Sequence, residues 1–218
     1  MLYEAERQQI VDACLAMVEK GLVVGTAGNV SIRVGDHVVI SPSAVPYEEM
    51  TAEDVAVVDM GGTQIEGKYK PSSECPLHLS VYANTEAGAI THNHAPASTA
   101  LGLVVEGEIP LSHYYSALFG GSIRVAPYST FGTDQLAKDV TAALQGRSGA
   151  LMSNHGAITV GPNLDKALDM LPYLEYVCEI QLRALATGLP IKTLSDDEMA
   201  QARAGMSGYT KKSAADSK

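Results

Sequence analysis

Positive charge is scarce in this chain: fifteen Lys and Arg stand against twenty-five Asp and Glu, for a net charge of −10 and an isoelectric point near 5.0. The basic residues are scattered rather than clustered, which argues against a nucleic-acid backbone or an anionic membrane surface as partner. Cysteine is scarce too. Cys14, Cys75 and Cys178 are odd in number and lack metal-ligand spacing, so they fit buried free thiols in a reducing compartment better than a disulfide framework. No apolar stretch approaches a bilayer span, and Glu4, Glu6 and Arg7 leave the first residues without a secretory apolar core. These absences predict a cytoplasmic protein with no membrane or nucleic-acid partner.

Linkers and internal repeats are also missing. The Gly and Pro clusters are short, and each is followed by another periodic segment. With 218 residues, 46% of them hydrophobic, the chain can bury one sizeable core, and a single domain is expected over residues 1–204. From Gly205 to Lys218 the sequence turns small, polar and rich in Lys and Ser, which predicts a mobile tail.

Periodicity supplies the elements. Ile10, Val11, Cys14, Leu15 and Val18 recur at helical spacing before Gly21, giving an opening amphipathic helix over 3–20. Val30 to Val34 alternates and turns at Gly35-Asp36 into His37 to Ser41, a hairpin; a second turns at Gly61-Gly62. Helices are expected near 74–84, 97–104, 134–145 and 164–187, the last kinked at Pro172. Ser195 with Glu198 predicts a capping box on a final short helix. Early hairpins followed by strand–helix alternation imply a three-layer α/β/α fold with a mixed, largely antiparallel central sheet. A purely parallel doubly wound sheet fits less well, because the early turns are too short for crossovers.

The chemistry concentrates on histidine. His92 and His94 end an apolar run, and residues two apart on a strand share a face, so both rings can meet one point while Asn93 turns away. His155 ends a second such run, Leu151-Met152, and is delivered to a loop. A lone histidine is more often structural than ligating, but three imidazoles with one open position match a catalytic zinc. His37, His78 and His113 lack comparable spacing. Glu74 is either a favourable charge at a helix start or, if it faces the three rings, a general base or displaceable ligand. His78, one helical turn beyond Glu74, is an alternative ligand or a supporting residue.

An anion site is also readable. Gly25 to Asn29 is a glycine-containing turn whose N–H groups can cradle an anion, or simply a tight loop. Ser72 and Ser73 stand just before a helix start, where free N–H groups and the helix dipole favour phosphate, although one serine there can equally be an N-cap.

Taken together, Gly28-Asn29, Ser41-Pro42-Ser43, Pro71 to Glu74, His92-Asn93-His94-Ala95, Phe131-Gly132-Thr133 and Asn154-His155-Gly156 resemble, in order and spacing, the class II aldolase/adducin family. The resemblance spans nearly the whole chain. It implies a zinc enzyme, one Zn²⁺ per subunit, that reversibly cleaves a ketose 1-phosphate into dihydroxyacetone phosphate and a short aldehyde. It also implies a homotetramer in which a neighbouring subunit completes the site. By position, it makes His92, His94 and His155 the zinc ligands. Glu74 becomes the residue that binds the resting metal and moves the substrate proton. Gly28, Asn29, Ser43, Ala44, Ser72 and Ser73 form the phosphate cradle, and Tyr114 is a phenol that reaches the neighbouring site. Phe131 and Tyr209 stand near the aldehyde end. Two departures accompany it: Ala44 stands where the family commonly has Gly, and Tyr115 stands beside Tyr114. Pentulose-phosphate 4-epimerases and sugar-acid phosphate decarboxylases share the scaffold; the epimerase branch typically carries Asp at the position of Glu74 and a His-Thr-His pair. A non-catalytic adducin-like module predicts loss of the metal histidines, which are all present.

Overall fold

A computed structural model describes residues 1–207 and places eight strands in one sheet, ordered β4-β3-β2-β1-β5-β8-β7-β6. The strands are β1 (Asn29–Val34), β2 (His37–Ile40), β3 (Ala56–Asp59), β4 (Gln64–Glu66), β5 (Ala89–Asn93), β6 (Arg124–Ala126), β7 (Gly149–Met152) and β8 (Gly156–Gly161). All pairings are antiparallel except β6 with β7, so the sheet is mixed and largely antiparallel, as expected.

Alternation along the strands splits the core into two layers. Val38, Ile40 and Ile158 face one side, where they meet Leu77 and Val81 of α2 (Cys75–Asn84) and Leu136 and Val140 of α4 (Asp134–Ala143). Val30, Val39 and Val57 face the other, against α1 (Glu4–Glu19) and α5 (Leu164–Leu185). Leu151 and Ala157 extend that second layer toward α3 (Pro96–Leu101) and the outer half of α5. Successive residues pointing to opposite faces is the strand period of two made visible. This is the three-layer α/β/α architecture.

Several boundaries differ from the sequence expectation. α2 begins at Cys75 and leaves Glu74 in the N-cap position with non-helical dihedrals. α3 stops at Leu101 rather than 104, where the Gly102 carbonyl accepts from Asn154 N and Ser153 Oγ of the β7–β8 turn. α5 carries Pro172 within it and ends at Leu185 rather than 187. The short β6 and a 3₁₀ helix over Tyr114–Phe119 carry too few residues for periodicity to reveal. The Ser195–Glu198 capping box forms, each residue bonding back to the other. Its helix α6 runs Asp196–Ser207, so residues 205–207, expected in the tail, are helical; Tyr209 lies outside the described residues. All three cysteines are free and buried, and burial pushes the Cys75 thiol up to about 11. No helix among the described residues is long and apolar enough to cross a membrane.

Candidate metal centre and its cleft

Antiparallel pairing of β5 with β8 sets His92 opposite Ile158 and Asn93 opposite Ala157. The three-residue turn before β8 therefore lifts His155 over the end of β5, about sixty positions away in sequence. Asn154 takes the left-handed conformation that this turn needs, with φ 57°, and asparagine is among the side chains that tolerate it best. His92 lies in β5, while His94 follows it and donates its backbone N–H to Leu22 O. Asn93 turns away, its Oδ1 accepting from Ala95 N at the entry to α3.

The three rings converge. Their centroids are 4.8 to 5.0 Å apart, and one ligand nitrogen from each lies within 4.8 Å of the others. His92 Nδ1 donates to the Ala157 carbonyl at 2.8 Å, so its Nε2 lone pair is turned inward, 3.0 Å from His94 Nε2. Two inward lone pairs at that distance repel unless a proton or a cation lies between them. Glu74 closes the group: Oε2 lies 3.1 Å from His92 Nε2 and Oε1 3.3 Å from His155 Nε2. Oε1 is buried without a hydrogen-bond partner, a costly arrangement unless a ligand satisfies it. Inward imidazole nitrogens, an orphaned carboxylate oxygen, and a buried His92 and Glu74 beside the partly exposed His94 and His155 fit a divalent cation with an open position. His92, His94, His155 and Glu74 are the residues that would hold it.

The titration of these groups follows from the same geometry. Burial raises the Glu74 carboxyl, but the charge and hydrogen bond of His92, with His155 and Asn29, outweigh it and hold the carboxyl far below its usual range. Burial lowers His92, yet Glu74 more than restores it, leaving it raised. Burial, aided by His92 and His155, brings His94 down to about 4. His78 is wholly buried and pushed down to about 3 by desolvation. It stands behind Glu74, bonded to Asn29 and Ser31, so it supports the site and does not join the three rings.

A cleft of about 350 Å³ opens beside this centre. The bridge between Pro42 and Pro71 brings the Ser43-Ala44 loop against Ser72-Ser73, and Gly28 forms the third wall. A Cβ on Gly28 would sit 2.6 Å from His92 O, and its φ is +88°, so only glycine fits this approach. Ala44 occupies the left-handed region, φ 58°. That is the conformation a glycine would adopt without strain, which gives the departure at this position a physical content.

Not all expected anion donors are free. Ser72 donates its N–H to Ser41 O and accepts from Glu74 N at its Oγ, a turn just outside the helix whose N-cap is Glu74, and keeps its hydroxyl hydrogen. Ser43 N–H is bonded to Lys70 O, leaving its hydroxyl. The Asn29 amide, expected in the cradle, is buried and committed to Glu74 and His78. Ser73 and Phe131 are exposed on the cleft wall. Tyr128, 64% exposed on the same wall, was not foreseen; its place three residues before Phe131, in the same loop, was the available signal.

Tyr114 does not line its own chain's cleft. It lies on the 3₁₀ helix, 46% exposed and 4.6 Å from the His113 ring. Tyr115 turns inward and packs edge-on against Tyr173 at 5.1 Å. Tyr114 is thus the outward-facing phenol of the two.

Gly156 is the tightest point of the centre. An added Cβ would lie 2.3 Å from Asn93 O and just over 3 Å from both the His92 and His94 rings. Gly156→Ala is expected to destabilise the fold by about 1–3 kcal/mol through overpacking and to weaken metal uptake. Thermal unfolding with and without added zinc reads both effects.

Comparison with known proteins gives a consistent picture. Residues 8–182 match the family described as "Class II Aldolase and Adducin N-terminal domain". The L-fuculose phosphate aldolase of Escherichia coli K12 is 42% identical over 195 residues, covering 88% of this chain and 90% of that one. The 5-deoxy-D-ribulose 1-phosphate aldolase of Bacillus thuringiensis serovar kurstaki is 37% identical over 212 residues, covering 96% and 99%. A solved L-fuculose 1-phosphate aldolase superposes with a TM-score of 0.89 at 33% identity, over 95% of this chain and 98% of that one.

Proposed function

The chain belongs to the class II aldolase and adducin N-terminal domain family, and from that premise we propose that it is a zinc-dependent aldolase. It cleaves a ketose 1-phosphate of the L-fuculose 1-phosphate type to dihydroxyacetone phosphate and a short aldehyde. The observation that carries this reading is the placement of Glu74 between His92 and His155, at the edge of a cleft lined by serine hydroxyls.

When bound, zinc polarises the substrate carbonyl and supplies the electron sink for carbon–carbon cleavage. The protein does the rest. Ser43, Ser72 and Ser73 present hydroxyls to the phosphate beside the turn at Gly28. That arrangement lets an acidic protein take an anionic substrate without an arginine clamp. Glu74, ionised and held by Asn29, is placed to carry a proton to and from the carbon beside the carbonyl. A Schiff-base lysine would need a depressed amine. Lys68 has the opposite environment: it is exposed and its ammonium is raised by Tyr69 and Asp54. Tyr128 and Phe131 offer apolar faces at the mouth, suited to a methyl-ended aldehyde, the common element of L-fuculose and 5-deoxyribulose phosphates.

Tyr114 protonates the aldehyde-derived oxygen in a neighbouring subunit of a homotetramer, which accounts for its exposure and its distance from its own cleft. Zinc, the tetramer and a cytoplasmic location are parts of this proposal. Tyr114→Phe is expected to lower kcat on the order of 10²-fold, the lower end for a general acid, while Tyr115→Phe leaves it near wild type. The deciding assay is a panel of ketose 1-phosphates and pentulose 5-phosphates followed for triose-phosphate release; an epimer without released dihydroxyacetone phosphate would favour the epimerase chemistry instead.

A further inference from the structure

Behind Glu74 runs a chain of buried polar side chains for which neither the metal nor the substrate accounts. Tyr82 OH lies 2.7 Å from Ser31 Oγ, which lies 2.6 Å from His78 Nδ1. His78 Nε2 bonds to Asn29 Oδ1, and Asn29 Nδ2 donates to Glu74 Oε2 at 2.8 Å. Tyr82, Ser31, His78 and Asn29 are each 3% exposed or less. Asn29 and Ser31 stand two apart on β1 and so share the face turned to α2, where His78 and Tyr82 stand four apart on one helical stripe. The chain is therefore a zipper of two strand positions against two helix positions.

We propose that His78 is a positioning residue: with Tyr82 and Ser31 it forms a one-way hydrogen-bond chain that holds the Asn29 amide in place with its NH₂ on the Glu74 carboxylate.

The direction follows from the inventory of donors and acceptors. Ionised Glu74 only accepts, so Asn29 must offer its NH₂ there and its carbonyl to His78. That carbonyl only accepts, so His78 carries its proton on Nε2 and presents a bare Nδ1. Nδ1 takes the Ser31 hydroxyl hydrogen, and the Ser31 oxygen takes the Tyr82 hydrogen. Each hydrogen has one place, and burial removes the water that would otherwise tolerate a second arrangement. Without the His78 donor, the Asn29 carbonyl loses its buried partner, and the amide is held at one end only and free to swing off the carboxylate. The amide then no longer anchors Oε2. With it, Oε2 stays tethered and Oε1, which has no hydrogen-bond partner, is the oxygen left to work.

The kinetic part of the test rests on the aldolase reading; the spectroscopic part does not. In protein labelled with ¹⁵N-histidine, His78 is expected as the neutral Nε2–H tautomer, and an Nδ1–H tautomer overturns the proposal whatever the activity. His78→Leu removes the donor, and kcat is expected to fall about 10–100-fold, the range for a residue that orients a metal-site group, with KM little changed. His78→Gln places an amide N–H where Nε2–H stood and should recover most of that loss. A structural role alone would leave Gln and Leu equally impaired, in step with their melting temperatures, and that result overturns the proposal. Should His78→Leu not fold, Tyr82→Phe keeps the ring and drops only the terminal hydroxyl. A measurable fall in kcat with an unchanged melting temperature then supports the chain, and unaltered kcat rejects it. Absence of cleavage in the wild type on every ketose 1-phosphate would refute the aldolase reading while leaving the tautomer result standing.

Discussion

Glu74→Gln is expected to lower kcat for triose-phosphate release by roughly 10²–10⁴-fold, the contribution typical of a positioned proton-transfer group. The change keeps the shape of the side chain, lets the Gln carbonyl accept from Asn29 Nδ2 in place of Oε2, and removes a buried charge, so the fold should survive. KM should move far less than kcat. Exchange of the dihydroxyacetone phosphate carbon-bound hydrogen with deuterated water gives an independent reading, because it needs proton transfer but no aldehyde. Full exchange and full turnover in this variant would remove Glu74 from the chemistry.

The substitution has a second signature in the metal-free protein. The Glu74 carboxyl is depressed below its ordinary value of 4.5, so its contribution to stability is present above that value and lost as pH falls toward the depressed one. His92 is raised above 6.5, so its contribution is complete below that value and lost as pH rises through the raised one. Both hold between 4.5 and 6.5, the window in which the metal-free wild type should gain most over Glu74→Gln. Denaturation curves across that range test it.

Removal of the metal should be the more severe lesion. Chelation, or His155→Ala, is expected to cost more than about 10³-fold in cleavage, since a Lewis-acid contribution of several kcal/mol is lost. Zinc should restore the chelated protein and leave His155→Ala impaired. Affinity should also fall with acid. Ligation needs a bare Nε2 on His92, whose proton the neighbouring Glu74 stabilises, so apparent zinc affinity should decline as pH drops through the raised His92 value. Activity untouched by exhaustive chelation would dismiss the metal altogether.

Much of this was readable from local pattern. His92 and His94 two apart at the end of Ala87 to Ile90, the alternation of Val30 to Val34, and the Ser195–Glu198 box each report a geometry that neighbouring residues impose on one another. They appear in the structure as β5, β1 and the start of α6. The boundaries of α2 and α3 were less legible, because their ends depend on the Ser72 turn and on the β7–β8 loop docking at Gly102. β6 and the 3₁₀ helix around Tyr114 are too short for any period to emerge.

Residue types and near-neighbour spacing marked the three histidines as a candidate group and pointed to the mixed α/β/α class, while Glu74 stayed open between a helix-start charge and a base until the family resemblance gave it a role. Which groups would be spent and which left over was decided only when distant segments met. β5 pairing with β8 carried His155 to His92, and β1 packing on α2 set the amide of Asn29, which also lines the cleft, against Glu74. The reason is physical: backbone sterics and side-chain periodicity act over a few residues, whereas a buried hydrogen bond is assigned only once every competing donor and acceptor has been brought within reach.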